Sequence, residues 1–450
     1  MKPITLLCLA LLGICCGAER SIAQTYQPSN RIPVADNTLG TQVSGNGGNF
    51  NVTGGLNKGQ TLLHSFNDFS IPTNGQANFL NPVGTQSIIT RVTGNLFSDL
   101  NGTLNSGGAN FLLINPNGIV FGNNAQLNVG KAFTASTANG VNLVDGSGGR
   151  YTFGTNGAGD APLLSVNANV LFTPSQLMMG SNSGQISNHG TLQTANNGQY
   201  IGLIGGKIDL NGGKIVAPGG RIDLGALTSV GTVGTDSQGL VFGGSGLTYG
   251  EISLTNGASV SARATQLLAP VTTFTNAAAV GSNINISANN LSLLNAGDDV
   301  SATGTRALDA GLETNSGTQT VAAGNININA TGLVSLDNSV IGNTLWTGAS
   351  GQIGDVNINA NSLSLSNGSF ISIFLTGKGS GGNIGITTTG DVSISGTNDP
   401  SLLQGNLITA LSQITSSTQA QCGAGKISIS KPLEILVSLA PQPSQSCQLL

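Results

Sequence analysis

The stretch GGKIDLNGGKIVAPGGRIDL, residues 205–224, holds three copies of one short unit: Gly205–Leu210, Gly212–Ala217 and Gly219–Leu224. The step is seven residues each time. Paired glycines at that interval would ruin a helix, so the heptad spacing does not signal a coiled coil. Seven residues do make one short strand and one tight corner. Three such units, about 21 residues, make one coil of a three-sided β-helix.

The rest of the chain has the same texture. Ile284–Ser287 reads INIS, Asn325–Asn329 NININ, Val356–Asn359 VNIN, Leu363–Ser366 LSLS and Ile427–Ser430 ISIS. Period-two alternation puts Ile, Val and Leu on one face of a strand and Asn and Ser on the other. Four segments follow one template: GSNINISANNLSLLNAG from Gly281, GNININATGLVSLDNS from Gly324, GDVNINANSLSLSNGS from Gly354 and GNIGITTTGDVSISG from Gly382. Ile284, Ile326, Val356 and Ile384 are their equivalent positions, at spacings of 42, 30 and 28 residues. Uneven spacing fits coils with insertions at their corners. The expected fold is all-β, a parallel β-helix of the pectin-lyase-like solenoid class with three-sided coils. Its interior is filled by small aliphatic residues, and asparagine and serine ladders run from coil to coil. At about 21–25 residues per coil, a mature chain predicts on the order of 17–20 coils and a rod of about 80–100 Å.

Composition supports this. Of 450 residues 67 are Gly, only 8% are charged and 38% are hydrophobic, with slightly positive mean hydropathy. A disordered chain would be poorer in apolar residues and richer in charge. Gly, Asn, Ser and Thr in place of Ala, Glu and Lys argue against helices. A net charge of −4 with scattered basic residues leaves no nucleic-acid footprint.

Met1–Ala23 reads as a secretory signal: Lys2, an apolar run Ile4–Ile14 too short to span a bilayer, and small residues at Ser21 and Ala23 ahead of a cut before Gln24. Lipid attachment at Cys15 or Cys16 is the alternative. Nothing from Gly17 to Gln421 is cysteine, and Cys422 and Cys447 close the chain. In an oxidising compartment a disulfide between them is expected; two unpaired thiols are the alternative. The two histidines, His64 and His189, lie far from any cysteine, so no metal site is expected.

Residues 26–160 carry more specific motifs. Leu62–Phe69 is LLHSFNDF, Asn78–Gly84 NFLNPVG, Ser87–Gly94 SIITRVTG, Asn110–Gly122 NFLLINPNGIVFG and Asn124–Ala138 NAQLNVGKAFTASTA. Together they resemble the haemagglutination-activity domain at the N-terminus of filamentous-haemagglutinin-like exoproteins, the secreted partners of two-partner secretion systems. A looser match continues from Gly184 (GQISNHGTLQTANNGQYIGLIGGKIDL) to about Leu227, and the later repeats resemble those of cyanobacterial members in texture. The resemblance implies a right-handed β-helix, export through a dedicated outer-membrane barrel transporter, and a role in adhesion. The host-cell, matrix or glycan ligand is left open. The family's NPNGI motif falls on Asn115, Pro116, Asn117, Gly118 and Ile119. Its earlier NPNL-type motif is met at Asn81 and Pro82, while Val83 and Gly84 depart from it. Read from the residues alone, NPNG is a sharp corner: Pro116 fixes φ, Asn117 tolerates left-handed geometry and Gly118 adopts it freely. Phe111–Ile114 before it is apolar on consecutive residues, as a strand buried on both faces would be. Phe66, Phe69, Phe79, Phe97 and Phe111 are expected to pack in the core or cap, with His64 as a packed, hydrogen-bonded residue. Five regions are expected: the signal over 1–23, the capping secretion domain over 24–160, helix continuation over 161–275, repeats over 276–400, and a terminal segment with the cysteine pair over 401–450.

Enzymatic chemistry is poorly represented. Polysaccharide-cleaving β-helices gather carboxylates on one face; here acidic residues are single, apart from Asp298–Asp299 in a loop between repeats. Lys207, Asp209, Lys214, Arg221 and Asp223, the densest charges, are expected on different sides of one coil and solvated. No phosphate loop, calcium nonapeptide or cofactor motif is present. The favoured reading is a secreted or surface-exposed adhesin that is not an enzyme. A haemolysin-like or export-scaffold protein and a polysaccharide-active enzyme are the alternatives.

Overall fold

A computed structural model describes residues 26–265 except 168, 182, 238 and 245, and then 283–296, 308–309, 312–313, 324–345, 350–375, 378–396, 413–418, 426–430 and 436–437. The signal segment, Asp298–Asp299 and the Cys422–Cys447 pair lie outside the described residues.

The chain winds into a parallel β-helix with three faces. The first sheet stacks eleven parallel strands: Thr61–Asp68, Ser87–Val92, Asn110–Ile114, Ala132–Ser136, Tyr200–Gly205, Arg221–Ala226, Ile284–Ala288, Ile326–Ala330, Val356–Ala360, Ile384–Thr388 and Ile427–Ser430. The second sheet stacks ten, from Ser98–Leu100 to Leu436–Val437. The third face is divided: a five-stranded sheet from the hairpin Thr41–Asn46/Asn49–Gly54 to Gln126–Asn128, then a nine-stranded one that starts at Thr191–Gln193. The three seven-residue units are three sides of one coil. Lys207–Asn211 lies in the second sheet, Lys214–Val216 in the third and Arg221–Ala226 in the first. Ile284, Ile326, Val356 and Ile384 are successive register partners, as the repeat template requires.

Alternation does its work inside. Ile284, Ile286, Leu291, Ile326, Ile328, Val334, Val356, Ile358 and Leu363 are buried in one continuous core, each contributing roughly 1.5–3 kcal/mol of hydrophobic stabilisation. At the corner after the second sheet, Asn256, Asn295, Asn338 and Asn367 all take positive φ, between 45° and 55°. Asparagine supports this geometry better than other side chains with a Cβ. It also links coils: the Asn338 amide donates to Asn295 Oδ1 at 3.0 Å and that of Asn367 to Asp337 Oδ1 at 2.7 Å.

Two features depart from the sequence reading. Coils are longer than expected. Stacked asparagines are 23 residues apart at Asn105/Asn128, but 42 at Asn285/Asn327 and 30 at Asn327/Asn357. Among the described residues the first sheet stacks eleven strands, about 50 Å of solenoid, where about 80–100 Å is expected from the sequence. Second, excursions from two places in the chain form an antiparallel sheet outside the solenoid. Its strands are Arg150–Gly154, Gly140–Asp145, Phe172–Met179, Gly231–Asp236 and Gly239–Val241, with a helix at Asp160–Ser165. This sheet lies on the outer face of the first sheet and closes a second core of Leu63, Ile89, Leu112, Ile114, Val141, Leu143, Phe153, Phe172, Leu177 and Leu240. That is why Phe111–Ile114 is apolar throughout: Phe111 and Leu113 face the solenoid interior, Leu112 and Ile114 the added layer.

A buried ion pair fastens the layer. Arg91, fully buried, donates from Nη1 to Asp160 Oδ1 at 2.5 Å and from Nη2 to Asp160 Oδ2 at 2.7 Å. It also bonds the Gly154 carbonyl (2.8 Å), Ser65 Oγ (2.8 Å) and Thr38 Oγ1 (3.2 Å), and lies 4.5 Å from the Phe153 ring centroid. The charges expected to be solvated divide. Lys207 pairs with Glu251 at the surface at 3.4 Å. Asp223 is fully buried beneath the added sheet, where it accepts from Arg221 Nε (2.8 Å), Leu240 N (2.8 Å) and the Asn285 amide (2.7 Å).

Candidate functional site

The NPNGI residues form the corner between the first and second sheets, joining Asn110–Ile114 to Ile119–Phe121. Asn115 is fully buried. Its amide donates to the Leu96 carbonyl (2.9 Å) and Ser98 Oγ (3.0 Å) of the preceding coil, and its Oδ1 accepts from the Asn117 backbone N–H at 3.0 Å. The Asn117 amide reaches the Gly94 carbonyl at 2.8 Å. Gly118 has φ 120°, and Gly118, not Asn117, carries the positive φ of this turn. The following coil packs directly on it: Gly184 N–H donates to the Pro116 carbonyl at 2.9 Å, and a Cβ at Gly184 would lie 2.5 Å from backbone atoms of Asn117 and Gly118. Asn115, Gly118 and Ile119 are therefore spent on holding three coils together. Asn117 is exposed and Pro116 half-exposed.

Asn81 and Pro82 stand elsewhere, on the corner between the third sheet and the first. The Asn81 amide donates to the Ser106 carbonyl at 2.7 Å, and the Pro82 carbonyl caps a turn closed by Thr85 N–H at 3.2 Å. Val83 at its tip is fully exposed. The two motifs thus occupy different edges of the rod.

Around the NPNGI corner lies a strip that the sequence did not disclose. The segment from Tyr26 to Val34 runs outside the solenoid as a strap. Tyr26 stacks on His189 at 5.0 Å and donates to buried Asp99, whose Oδ2 also takes the Ser29 N–H at 2.5 Å. Burial, followed by the Asp99 carboxylate, holds the Tyr26 hydroxyl well above its ordinary pKa, so it stays a donor. Arg31 bonds Asp68 at 2.7 Å and lies 4.7 Å over the Phe97 ring. Phe97 is therefore not a core residue, unlike Phe66, Phe69, Phe79 and Phe111: it is 39% exposed and carries Arg31. Leu96 and Phe97, both exposed, stand beside the Asn115–Gly118 turn, while Ile32 and Val34, also exposed, lie along the strap, with Val34 paired to Asp68 at the outer edge of the first sheet.

His64 is enclosed at this end of the solenoid. Its Nδ1 meets Thr41 Oγ1 at 3.2 Å, its Nε2 has no partner, and its ring meets Phe79 edge-on at 5.2 Å. Burial lowers its pKa to about 4, so it is neutral at physiological pH. Among the described residues no carboxylate is hydrogen-bonded to His64. Among the described residues no group of three or more His, Cys, Asp or Glu could hold a metal ion, and no helix is long and apolar enough to cross a membrane.

A β-helix with a strapped N-terminal end and a second sheet layered over its first coils is a solenoid built around its leading segment. That segment has known relatives. Residues 33–282 match the family profile described as the TPS secretion domain, and the chain belongs to this family, the exoproteins of two-partner secretion. The match covers the resemblance seen over residues 26–160 and, more loosely, to about Leu227, and carries it past the second excursion of the antiparallel sheet. Among solved structures, the chain is similar to the HMW1 secretion domain from Haemophilus influenzae, at 17% identity and a TM-score of 0.46, covering 88% of this chain and 98% of that one. It is also similar to a filamentous hemagglutinin secretion domain, at 16% identity and a TM-score of 0.25, covering 81% and 99%. A search of curated proteins finds no match.

Proposed function

We propose that the chain is made with a signal removed after Ala23, crosses the outer membrane through a dedicated barrel transporter, and acts outside as an adhesin, released or held at the cell surface. The observation that carries the transporter reading is the strip at the first corner. The exposed apolar residues Leu96 and Phe97 stand beside the Asn115–Gly118 turn, and Ile32 and Val34 are exposed further along the strap, where Val34 pairs with Asp68. Folding supplies the direction of transport. Each coil completed outside buries apolar side chains and satisfies its backbone against the previous coil, so return becomes unfavourable without a nucleotide at the outer membrane. A Cys422–Cys447 loop would resist passage and favour tethering, and replacing both by Ser should then raise release into the medium.

The test is Leu96→Asp with Phe97→Asp in cells that carry the transporter. Both side chains already face solvent, so the fold should persist while the protein accumulates in the periplasm. Undiminished export of the folded double variant would refute docking at this corner.

A further inference from the structure

The outer face of the first sheet is treated in two ways along the rod. From Thr61–Asp68 to Arg221–Ala226 it carries Leu63, Ile89, Leu112 and Ile204 and is covered by the antiparallel sheet. From Ile284–Ala288 onward the same face carries two columns of small polar residues. One is Asn285, Asn327, Asn357, Gly385 and Ser428; the other is Ser287, Asn329, Asn359, Thr387 and Ser430. The strands are in strict register, so residues within a column are about 4.8 Å apart and the columns about 7 Å apart. Neither column contains an ionised group. The amides are fixed by one another: Asn327 donates to Asn285 Oδ1 at 2.9 Å, Asn357 to Asn327 Oδ1 at 3.1 Å and Asn359 to Asn329 Oδ1 at 3.0 Å. Asn285 at the head of the first column donates to buried Asp223 at 2.7 Å, which orients the series. An asparagine amide has two N–H donors and two acceptor lone pairs. Asn327 uses one of each in the ladder, Asn359 one donor and Asn329 one acceptor. Asn329, Asn359 and Thr387 are exposed.

We infer that this lattice is a binding surface for a neutral, unbranched polysaccharide lying along the rod axis. The inference rests on the adhesive reading above and gives it a place and a ligand class. Three properties select the ligand. The two columns carry no charge, and the stacked column beside them at the strand entrances (Asn283, Asn325, Asp355, Asn383, Lys426) carries one charge of each sign, so the face has no excess of cations to hold acidic glycans, membranes or nucleic acid. It offers alternating fixed donors and acceptors at a constant repeat, which suits a partner that presents hydroxyls at a constant repeat. Its area, five strands by five residues, is roughly 400 Å², about half of what each partner of a stable protein complex contributes. A second copy of the chain is therefore too poorly held there, whereas a long polymer gains affinity by engaging successive coils.

The experiment is co-sedimentation of the purified mature protein with insoluble neutral polysaccharides (cellulose, chitin and an insoluble α-glucan) and with calcium alginate gel as the acidic counterpart. The wild type should be retained by at least one neutral polymer, unchanged by 0.5 M salt, and pass the alginate. Asn329→Lys with Asn359→Lys changes two exposed positions and should lower retention at least tenfold at an unchanged melting temperature. Asn329→Gln with Asn359→Gln, which keeps the amides, should restore most of it. Retention by no neutral polymer, or only by alginate, overturns the ligand class, and the adhesive reading falls with it only if the protein also fails to bind cells and matrix. Retention by a neutral polymer that the lysine variant leaves intact overturns this site alone.

Discussion

Aspartate 160 holds the added layer to the solenoid, and removing it should be among the most damaging single changes in the N-terminal half. The Arg91 guanidinium is fully buried, while the Asp160 side chain keeps 19% of its exposure. Asp160→Ala deletes the bonds of 2.5 and 2.7 Å and leaves a cation with only neutral partners: Ser65, Thr38 and the Gly154 carbonyl. A buried charge stripped of its partner costs about 3–5 kcal/mol. Arg91→Met leaves the other half of the pair, a carboxylate that water can reach, and puts an apolar chain against Phe153; its cost should be about 1–3 kcal/mol. The order Asp160→Ala worse than Arg91→Met is therefore specific to burial on the arginine side. The double variant should be more stable than Asp160→Ala by more than 1 kcal/mol. Urea unfolding of the four proteins, followed by tyrosine fluorescence and circular dichroism, gives the cycle directly. A cost below about 1 kcal/mol for Asp160→Ala, or a double variant less stable than that single, would refute the claim that this ion pair anchors the sheet.

Other expectations follow from named contacts. His64 has a folded-state pKa of about 4, below its ordinary 6.5, because of burial. The unfolded chain thus takes up the proton first, and up to about 3 kcal/mol of stability, complete above pH 6.5, is lost as pH falls to 4; His64→Gln should flatten that part of the stability–pH curve. Ile328→Ala, at a position 1% exposed inside the repeats, should cost about 2–5 kcal/mol in denaturant titration. At Gly220 a Cβ would stand 1.8 Å from the Gln199 carbonyl oxygen, so Gly220→Ala should force the corner apart and lower the melting temperature by several degrees. Asp99→Ala should release the strap held through Tyr26 and Ser29, which limited proteolysis would report as early cleavage before residue 36.

The solenoid was readable because its grammar is local. Each Ile-x-Ile strand fixes its own inward face, and the registers of Ile284, Ile326, Val356 and Ile384 follow from aligning like with like. The second layer left a trace as well: consecutive apolar residues in Phe111–Ile114 require partners on two sides. What supplies those partners was not readable. The antiparallel strands come from excursions 140–179 and 231–241, far apart in sequence, and nothing local in either specifies the other. Asp223 reads as a solvated charge because the seven-residue step puts Lys207, Asp209, Lys214, Arg221 and Asp223 on different sides of one coil; only the sheet laid over it makes it a buried acceptor. The strap was hidden for a similar reason. Tyr26 and His189 are 163 positions apart and meet only because the coils bring the second-sheet corner beneath the N-terminus.

Above all, the full chain should depend on a partner barrel to leave the cell. Expressing the intact protein in Gram-negative cells with and without the transporter gene, and quantifying it in periplasm, on the surface and in the medium, tests this directly. The protein should stay in the periplasm without the transporter and appear as a surface or released β-helix with it. Equal appearance outside in both strains, or retention in the periplasm in both, would contradict it.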